Sequence, residues 1–485
     1  MLTLSPESLT NDSGDAPAAA APTCTPGHRS VAIIGAGFSG SLLALHLLET
    51  GPPDLRILLI ERTPGFGPGL AFGGRDPEHL LNVRVGNMSA YPGRPRHLLD
   101  WLAGHGGGPV DPAAFITRET YGRYLTSMLR RVIEGSDGAQ RLMLVPDEAV
   151  SLERIAGRLR LTVAMGQVFD IDAAVLAVGN PAPAPLPGIG FENLATDLYA
   201  ADPWAPAALD NLDPAAGVLL LGTGLTMVDV ATSLEARGHR GPIVAISRRG
   251  LTPRRHGGAA PITSSGAGVP QGSLSQLLHR VRRQSAAVGW REAVDALRPA
   301  TQAIWRRASL AERRRFLRHL RPWWDVHRHR MAPAVAERIE AMRREWRLTV
   351  AAGRILKVEP DGEGAKVTWR PRGGEHAQSL TVGRIINCTG PAGDPSGVAS
   401  PLIRGLIERG EARVDPLRIG LEVDAHGRAI QADGSPNPQL FAVGPITKGS
   451  FWEIVAVPDI RNQVADLAVR LGGQLIDRPA DARRA

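Results

Sequence analysis

The first clear signal along the chain is a wholly apolar run, Val31–Ile34, that breaks into spaced glycines in "VAIIGAGFSG". A short run with no polar alternation predicts a strand covered on both faces, as in a parallel sheet. Ser41–Glu49 continue as a helix, and "RILLIE" predicts a second strand ending in Glu61. The same order returns later. "VLLLGTGLTMVDV" (Val218–Val230) predicts strand, glycine turn and helix, and "PIVAIS" the strand after it. Two further apolar runs, "AAVLAVGNP" (Ala173–Pro181) and "RIINCTGP" (Arg384–Pro391), end in Gly179 and Gly390 and then turn at a proline. Near the C-terminus, "LFAV" predicts a strand closing at Gly444, with a helix starting near Pro458.

Between these pieces, Ser273–Trp346 has a different texture. In "SLAERRRFLRHLRPWWD", Ser309 and Glu312 have capping-box spacing, and Leu310, Phe316, Leu317 and Leu320 form an apolar stripe at helical period. This predicts a helical insertion. The first 29 residues are biased to Ala, Pro, Ser and Thr and predict a disordered tail.

The glycine spacing narrows the chemistry. Gly35, Gly37 and Gly40 fit G-x-G-x-x-G: a tight turn, a close approach for pyrophosphate, and close helix–strand packing. Ser39 sits inside the motif, and the following helix would point free N–H groups at an anion. Glu61, with Arg62 beside it, lies where a carboxylate binds ribose hydroxyls. The second turn keeps Gly222 and Gly224 but has Met227 in the third position, which predicts looser packing of helix on strand. Arg248 and Arg249 follow the next strand, where an acid would select NAD. Two guanidiniums there suit a 2′-phosphate and favour NADPH, with NADH as the alternative. The C-terminal return through Gly444 suits FAD in the first site.

The expected fold is therefore α/β: two Rossmann-like three-layer dinucleotide-binding domains, the NADPH domain inserted into the FAD domain and enlarged by helices. The boundaries read as a tail over 1–29, an FAD domain over 30–190 plus 376–475, and an NADPH domain over 205–375 that includes the insertion 273–346.

Composition changes this picture little. A chain of 485 residues with 43% hydrophobic and 21% charged residues has an ordinary globular balance. No apolar run approaches the ~20 residues of a membrane span. The start lacks the layout of a secretory signal, and Cys24 and Cys388 form no metal or redox spacing, so a cytoplasmic setting is expected. The net charge of +8 is almost all arginine, with Lys357, Lys366 and Lys448 the only lysines. This skew is taken as compositional, so neither nucleic acid nor membrane is expected as a partner.

Several stretches together are similar to one family, the FAD/NAD(P)-binding proteins that include FAD-dependent urate hydroxylases and nitrosuccinate-forming aspartate N-monooxygenases. They are "VAIIGAGFSGSLLALHLL", "GPGLAFG" (Gly67–Gly73), "HLLNVRVGNMSAYP" (His79–Pro92), "HLLDWL" (His97–Leu102), "WWDVHRHRMAP" (Trp323–Pro333) and "GSFWEIVAVPDIRNQ" (Gly449–Gln463). The resemblance implies a single-component flavoprotein in which NAD(P)H-reduced FAD activates O₂ for a small polar, anionic substrate. Urate hydroxylation to 5-hydroxyisourate comes first and N-hydroxylation of an amino acid second. A non-oxygenating flavin reductase or redox-sensing protein stands as a different class.

The loop Gly65–Gly74, including Gly69, is expected to wrap a flat ligand. Arg84, Asn87 and Ser89 are expected on the flavin face first, against substrate second, or as plain loop structure. Lys448 is either a charge beside the flavin or a surface lysine. The "HRHR" at His327–Arg330 lacks a metal-ligand spacing and reads first as a solvated helix face. An arginine-rich gate or a homodimer surface are its functional alternatives. His46 is expected to be a packing residue, and His79 and His97 are candidates for proton transfer.

Overall fold

The computed structural model describes residues 28–477 apart from 75, 107, 185, 187, 259–268 and 398–399. The tail expected over 1–29 falls almost entirely outside the described residues, as does Cys24.

Two large sheets organise the chain, beside a smaller antiparallel one of three strands. The first has six strands in the order Arg428–Ile430, Pro436–Ala442, Ala173–Leu176, Arg29–Ile34, Leu55–Ile60, Leu142–Val145. Its inner strands are parallel, with Ile33 opposite Leu59 on one side and Val175 on the other. Val31, Ile33, Ile57, Leu59 and Val175 are fully buried, and the strands Ala149–Ile155, Arg158–Val163 and Val168–Ile171 share their core with the helices. The helices Phe38–Thr50 and Val457–Asp477 pack against each other beside this sheet. The C-terminal helix thus starts within a residue of Pro458, as expected.

The second sheet has seven strands in the order Gln378–Val382, Gly364–Pro371, Leu348–Asp361, Ile243–Ser247, Val218–Leu221, Arg384–Asn387, Tyr199–Ala200. Arg384–Asn387 lies parallel to Val218–Leu221, with Ile385 opposite Leu219. The stretch 378–387, assigned from sequence to the first domain, therefore builds the second. Its apolar residues complete a sheet whose central strand has no other partner on that side.

Six helices lie between Leu274 and Arg344, within the segment expected to be a helical insertion. Ser309 caps Leu310–His319 in a reciprocal box with Glu312, as its spacing predicts. An equivalent box between Ser273 and Gln276 starts Leu274–Val288. No described helix is long and apolar enough to cross a membrane.

Candidate functional site

The two glycine turns are built alike. Gly35 has φ +102° and its N–H donates to Ile60 O (2.9 Å); Gly222 has φ +106° and donates to Ile246 O (2.8 Å). A Cβ on Gly35 would lie 2.5 Å from Ala177 O, and one on Gly222 would lie 2.6 Å from Cys388 O. Each turn is thus forced onto glycine by the strand beside it. A Cβ on Gly40 would run into the Gly35 carbonyl.

The helices that follow, Phe38–Thr50 and Leu225–Ala236, start at Gly37 and Gly224. Neither has a side-chain cap or an acid in its first turn. Their leading N–H groups are therefore available to an anion, as a pyrophosphate site needs.

Met227 does not loosen the second turn. It is fully buried in the core formed with Val228, Ile386 and Cys388, so its side chain fills the space between helix and sheet. The expectation of weaker packing there is corrected.

Glu61 stands at the end of its strand, and its Oε2 accepts from Ala36 N (2.8 Å) within the first turn. Arg62 is exposed and pairs with Glu148 instead (3.4 Å). Gly444, at φ +74°, abuts this turn: a Cβ there would sit 2.5 Å from Ser39 Oγ. Gly69 also closes on it, since its Cβ would lie 2.6 Å from Gly37 Cα. Its loop is not devoid of helix, because Gly69–Phe72 form one turn. Gly179 (φ +70°) and Gly390 (φ +86°) occupy left-handed turns with open space around their Cα atoms. These cradles, the uncapped helix and the carboxylate fit an FAD with its diphosphate at the first turn.

At the second turn, Arg248 is exposed and Arg249 half-buried, and neither side chain has a hydrogen bond or ion pair among the described residues. Thr223 bridges that turn to Ser247 Oγ (2.9 Å) and Leu251 O (2.5 Å).

The segment after Gly444 meets the helical insertion in a buried ionic junction. Trp305 stacks on Trp452 (4.7 Å between centroids), and its Nε1 donates to Gly449 O (2.8 Å). Glu453, in a left-handed backbone conformation (φ +69°) and 4% exposed, receives Trp324 Nε1 (2.8 Å). Arg328 Nε lies 3.3 Å from its Oε2 and His329 Nε2 lies 3.5 Å from its Oε1. Burial pushes this carboxyl up, but His329, Arg328 and Trp324 outweigh it and bring it down to about 2. Asp459, in the first turn of the C-terminal helix, faces Arg298 at 3.9 Å. There burial wins, raising the carboxyl and lowering the guanidinium.

The "HRHR" segment is therefore no solvated face. Arg328 and His329 reach Glu453, while Arg330, 4% exposed, makes a two-pronged pair with Asp295 (2.9 and 2.8 Å). Sequence reading missed Glu453, Asp459, Arg298 and Arg328 as a group. The available signal was the acids within the apolar "FWEIVAVPD" and Arg328 in a helix that also carries Trp323 and Trp324.

Lys448 is not a surface lysine. It is mostly covered, its ammonium lies 5.2 Å over the Trp452 ring, and burial together with Arg321 lowers its pKa. Arg84 donates to Gly257 O (2.6 Å) and Ala113 O (3.3 Å), so its guanidinium is already engaged. Asn87 is exposed, on a turn tied to the C-terminal helix by Arg461, which donates to Asn87 O (3.3 Å) and Ser89 O (2.7 Å). Ser89 is fully buried and bonded to Arg94 O (2.7 Å), a structural role rather than a ligand contact.

The histidines are structural too. His46 packs edge-on against Tyr91, as expected. His97 Nδ1 bonds the Tyr124 hydroxyl (2.6 Å), and His79 bonds Ser233 (2.8 Å) at the contact between the two domains. A cleft of about 2640 Å³ also opens at that contact. Gly65, Phe66 and Gly69 line it, but Gly35, Gly37 and Glu61 do not, so it lies beside the first turn rather than on it.

Comparison with known proteins agrees with this geometry. Residues 32–181 match a family described as FAD-NAD(P)-binding, so the chain carries an FAD/NAD(P)-binding domain. No curated protein matches the sequence. The fold is similar to an ornithine N-hydroxylase from Kutzneria sp. 744, solved with reduced FAD, NADP⁺ and L-ornithine (14% identity, 92% of this chain and 99% of that one, TM-score 0.62). It is also similar to L-lysine 6-monooxygenase from Pseudomonas syringae (18% identity, 93% and 99%, TM-score 0.60). Thioredoxin reductase from Lactococcus lactis shares the fold more distantly (14% identity, 93% and 100%, TM-score 0.51). At these identities the likeness shows the fold: two dinucleotide-binding domains in one chain.

Proposed function

We propose that this chain is an FAD-dependent, NADPH-consuming monooxygenase of a small polar metabolite, acting in the cytoplasm. The observation that carries this reading is the path of residues 444–461. From Gly444 against the first glycine turn, the chain runs directly into a covered ionic junction closed by the helices of the insertion. A reductase of bulky or protein acceptors needs an open flavin face. A monooxygenase needs a covered one, because excluding water strengthens electrostatics and protects reactive species.

The residues divide the work. Gly35, Gly37, Ser39, Gly40, Glu61 and Gly444 would hold FAD. Gly222, Gly224, Arg248 and Arg249 would hold NADPH. Bound FAD supplies electron transfer from NADPH and activation of O₂. Lys448 would keep positive charge near the flavin. Asn87, with a free side-chain amide, would offer substrate or flavin a donor, and Arg84 would fix the neighbouring loop through Gly257. Of the candidate reactions, N-hydroxylation of an amino acid ranks first and urate hydroxylation second. The solved neighbours named for ornithine and lysine support the first, and the two signs of charge in the junction suit an amino acid better than a planar monoanion. A disulfide-type reductase is disfavoured because the two cysteines, Cys24 and Cys388, have no redox spacing, and Cys388 is buried with its thiol pushed up by that burial.

The test is NADPH oxidation and O₂ uptake by the purified yellow protein, with amino acids and with urate. Hydroxylated product in step with NADPH supports the reading. Reduction of an external acceptor with no oxygen incorporated into any of these compounds overturns it.

A further inference from the structure

The loop on the first glycine turn is fastened to the helix that leaves the second. Gly67 N donates to Ala36 O (2.8 Å), and Gly69 lies against Gly37, so the loop closes that turn from one side. Phe72 then packs on Phe38 (6.0 Å between centroids) and on Tyr121 (4.7 Å), which makes the link stiff. A few residues on, at Asp76, the chain reaches the other domain. There Ser233, 2% exposed on the helix Leu225–Ala236, donates to Asp76 and lies 2.8 Å from His79 Nε2. A hydroxyl has one proton. Asp76 takes it, so His79 must donate from Nε2, and a single oxygen holds both ends of the turn Asp76–His79. Burial pushes the Asp76 carboxyl up, but Ser233, the Glu78 N–H and His79 outweigh it and bring it down.

The outer face of the loop is open. Gly69, Leu70, Asp76 and His79 line the cleft of about 2640 Å³, and Leu70 is 69% exposed. Gly65 (φ +102°) and Gly74 flank the loop, with no atom within 4 Å of an added Cβ at either. The setting of the loop on Gly37 therefore depends on its inner contacts and on the tie at its far end. A second tie there, Arg338 between Glu78 and Glu235, has its guanidinium side chain 32% exposed and is screened by solvent. We infer that the Asp76–Ser233–His79 contact is a positioning element that couples the two nucleotide sites. A nucleotide at the N-terminus of Leu225–Ala236 fixes the helix that carries Ser233, and through Asp76 and His79 that helix keeps Gly67–Gly69 closed on FAD. Order imposed by one nucleotide need not be imposed again by the other, so each binds more tightly beside its neighbour.

This inference rests on the proposed placing of FAD at the first turn and NADPH at the second, and its test does not depend on turnover. FAD release from the purified yellow holoprotein is followed by flavin fluorescence on dilution, without NADP⁺ and at NADP⁺ saturation as calorimetry defines it. NADP⁺ should slow release about fivefold or more, the lower end of coupling between two sites. In Ser233→Ala that ratio should fall below about twofold, while release without NADP⁺ stays near the parent's rate. A merely structural role would speed release with and without NADP⁺ alike and leave the ratio unchanged. Asp76, with 25% of its side chain exposed, supplies a second variant, Asp76→Ala, for which the same loss of ratio is expected. Circular dichroism and flavin content report whether each variant is folded.

If NADP⁺ binds the parent but leaves FAD release unchanged or faster, the coupling alone is wrong. If the folded, flavin-loaded variants keep the parent's ratio, the Asp76–Ser233–His79 contact does not carry it and the inference is again overturned. If calorimetry finds no NADP⁺ binding at all, the proposed second site falls and the coupling falls with it, so the two failures are distinguishable.

Discussion

Arg118 Nη2 lies 2.6 Å from Asp229 Oδ2, joining the helix Arg118–Glu134 of the first domain to the helix that follows the second glycine turn. Asp229 is 7% exposed on that helix, and burial raises its carboxyl despite the opposing guanidinium. Around it, Ser233 donates to Asp76, and Arg338 pairs with both Glu78 and Glu235. The two cofactor domains are thus locked by charge as well as by packing. Arg118→Met would leave Asp229 buried without its partner, and a loss of about 3–5 kcal/mol is expected in urea unfolding. The double variant Arg118→Met/Asp229→Leu should recover much of that loss. Equal stability of the single variant and the parent would show that the pair holds nothing together.

Acid should loosen the junction around Glu453. The Glu453 carboxyl is depressed from 4.5 to about 2 in the folded chain. Its contribution is therefore complete above about pH 4.5 and is lost as pH falls toward 2. The shift corresponds to roughly 3 kcal/mol. Glu453→Gln should be less stable than the parent at neutral pH, and the gap should narrow across that window. A gap that stays constant with pH would contradict the depressed carboxyl.

Glycine positions separate cofactor binding from folding. Gly444→Ala places a methyl 2.5 Å from Ser39 Oγ at a left-handed φ, in the segment that closes on the first turn. The purified variant should keep its helical content but retain less than about a tenth of the parent's FAD, on the scale of 1.4 kcal/mol per factor of ten. Full retention of flavin would remove Gly444 from the cofactor site.

Nucleotide choice should rest on the free arginine pair. Replacing Arg248 and Arg249 by Ser should lower kcat/KM for NADPH about 10–100-fold and leave NADH within a few-fold, since only the 2′-phosphate loses charge-assisted hydrogen bonds. Equal losses with both nucleotides would mean that the arginines do not read the phosphate.

The insertion offers a local control. Ser309→Ala removes a cap whose oxygen accepts from Glu312 N (3.3 Å), and should cost about 1 kcal/mol in thermal unfolding without changing flavin content. A change in bound flavin without loss of stability would tie this helix to the cofactor directly.

Local chemistry made much of this protein legible in its sequence. Gly35 and Gly222 announce their turns because only a residue without a side chain tolerates φ above +100° against a neighbouring carbonyl. Ser309 and Glu312 mark a helix start because a capping box closes within four residues. Buried parallel strands show as short apolar runs because both their faces are covered. The rest was decided by contacts between distant segments. Met227 looked like a defect in a motif and proved to be core, because it packs in one cluster with Ile386 and Cys388, far along the chain. "HRHR" looked solvated, yet Arg328 and Arg330 are buried by partners at Glu453 and Asp295. A charge's fate depends on what folds over it, and nothing within reach of its own helix records that. The sequence by itself thus determined two glycine-turn domains; only the tertiary structure brought the insertion onto the segment after Gly444 and enclosed four charged groups there.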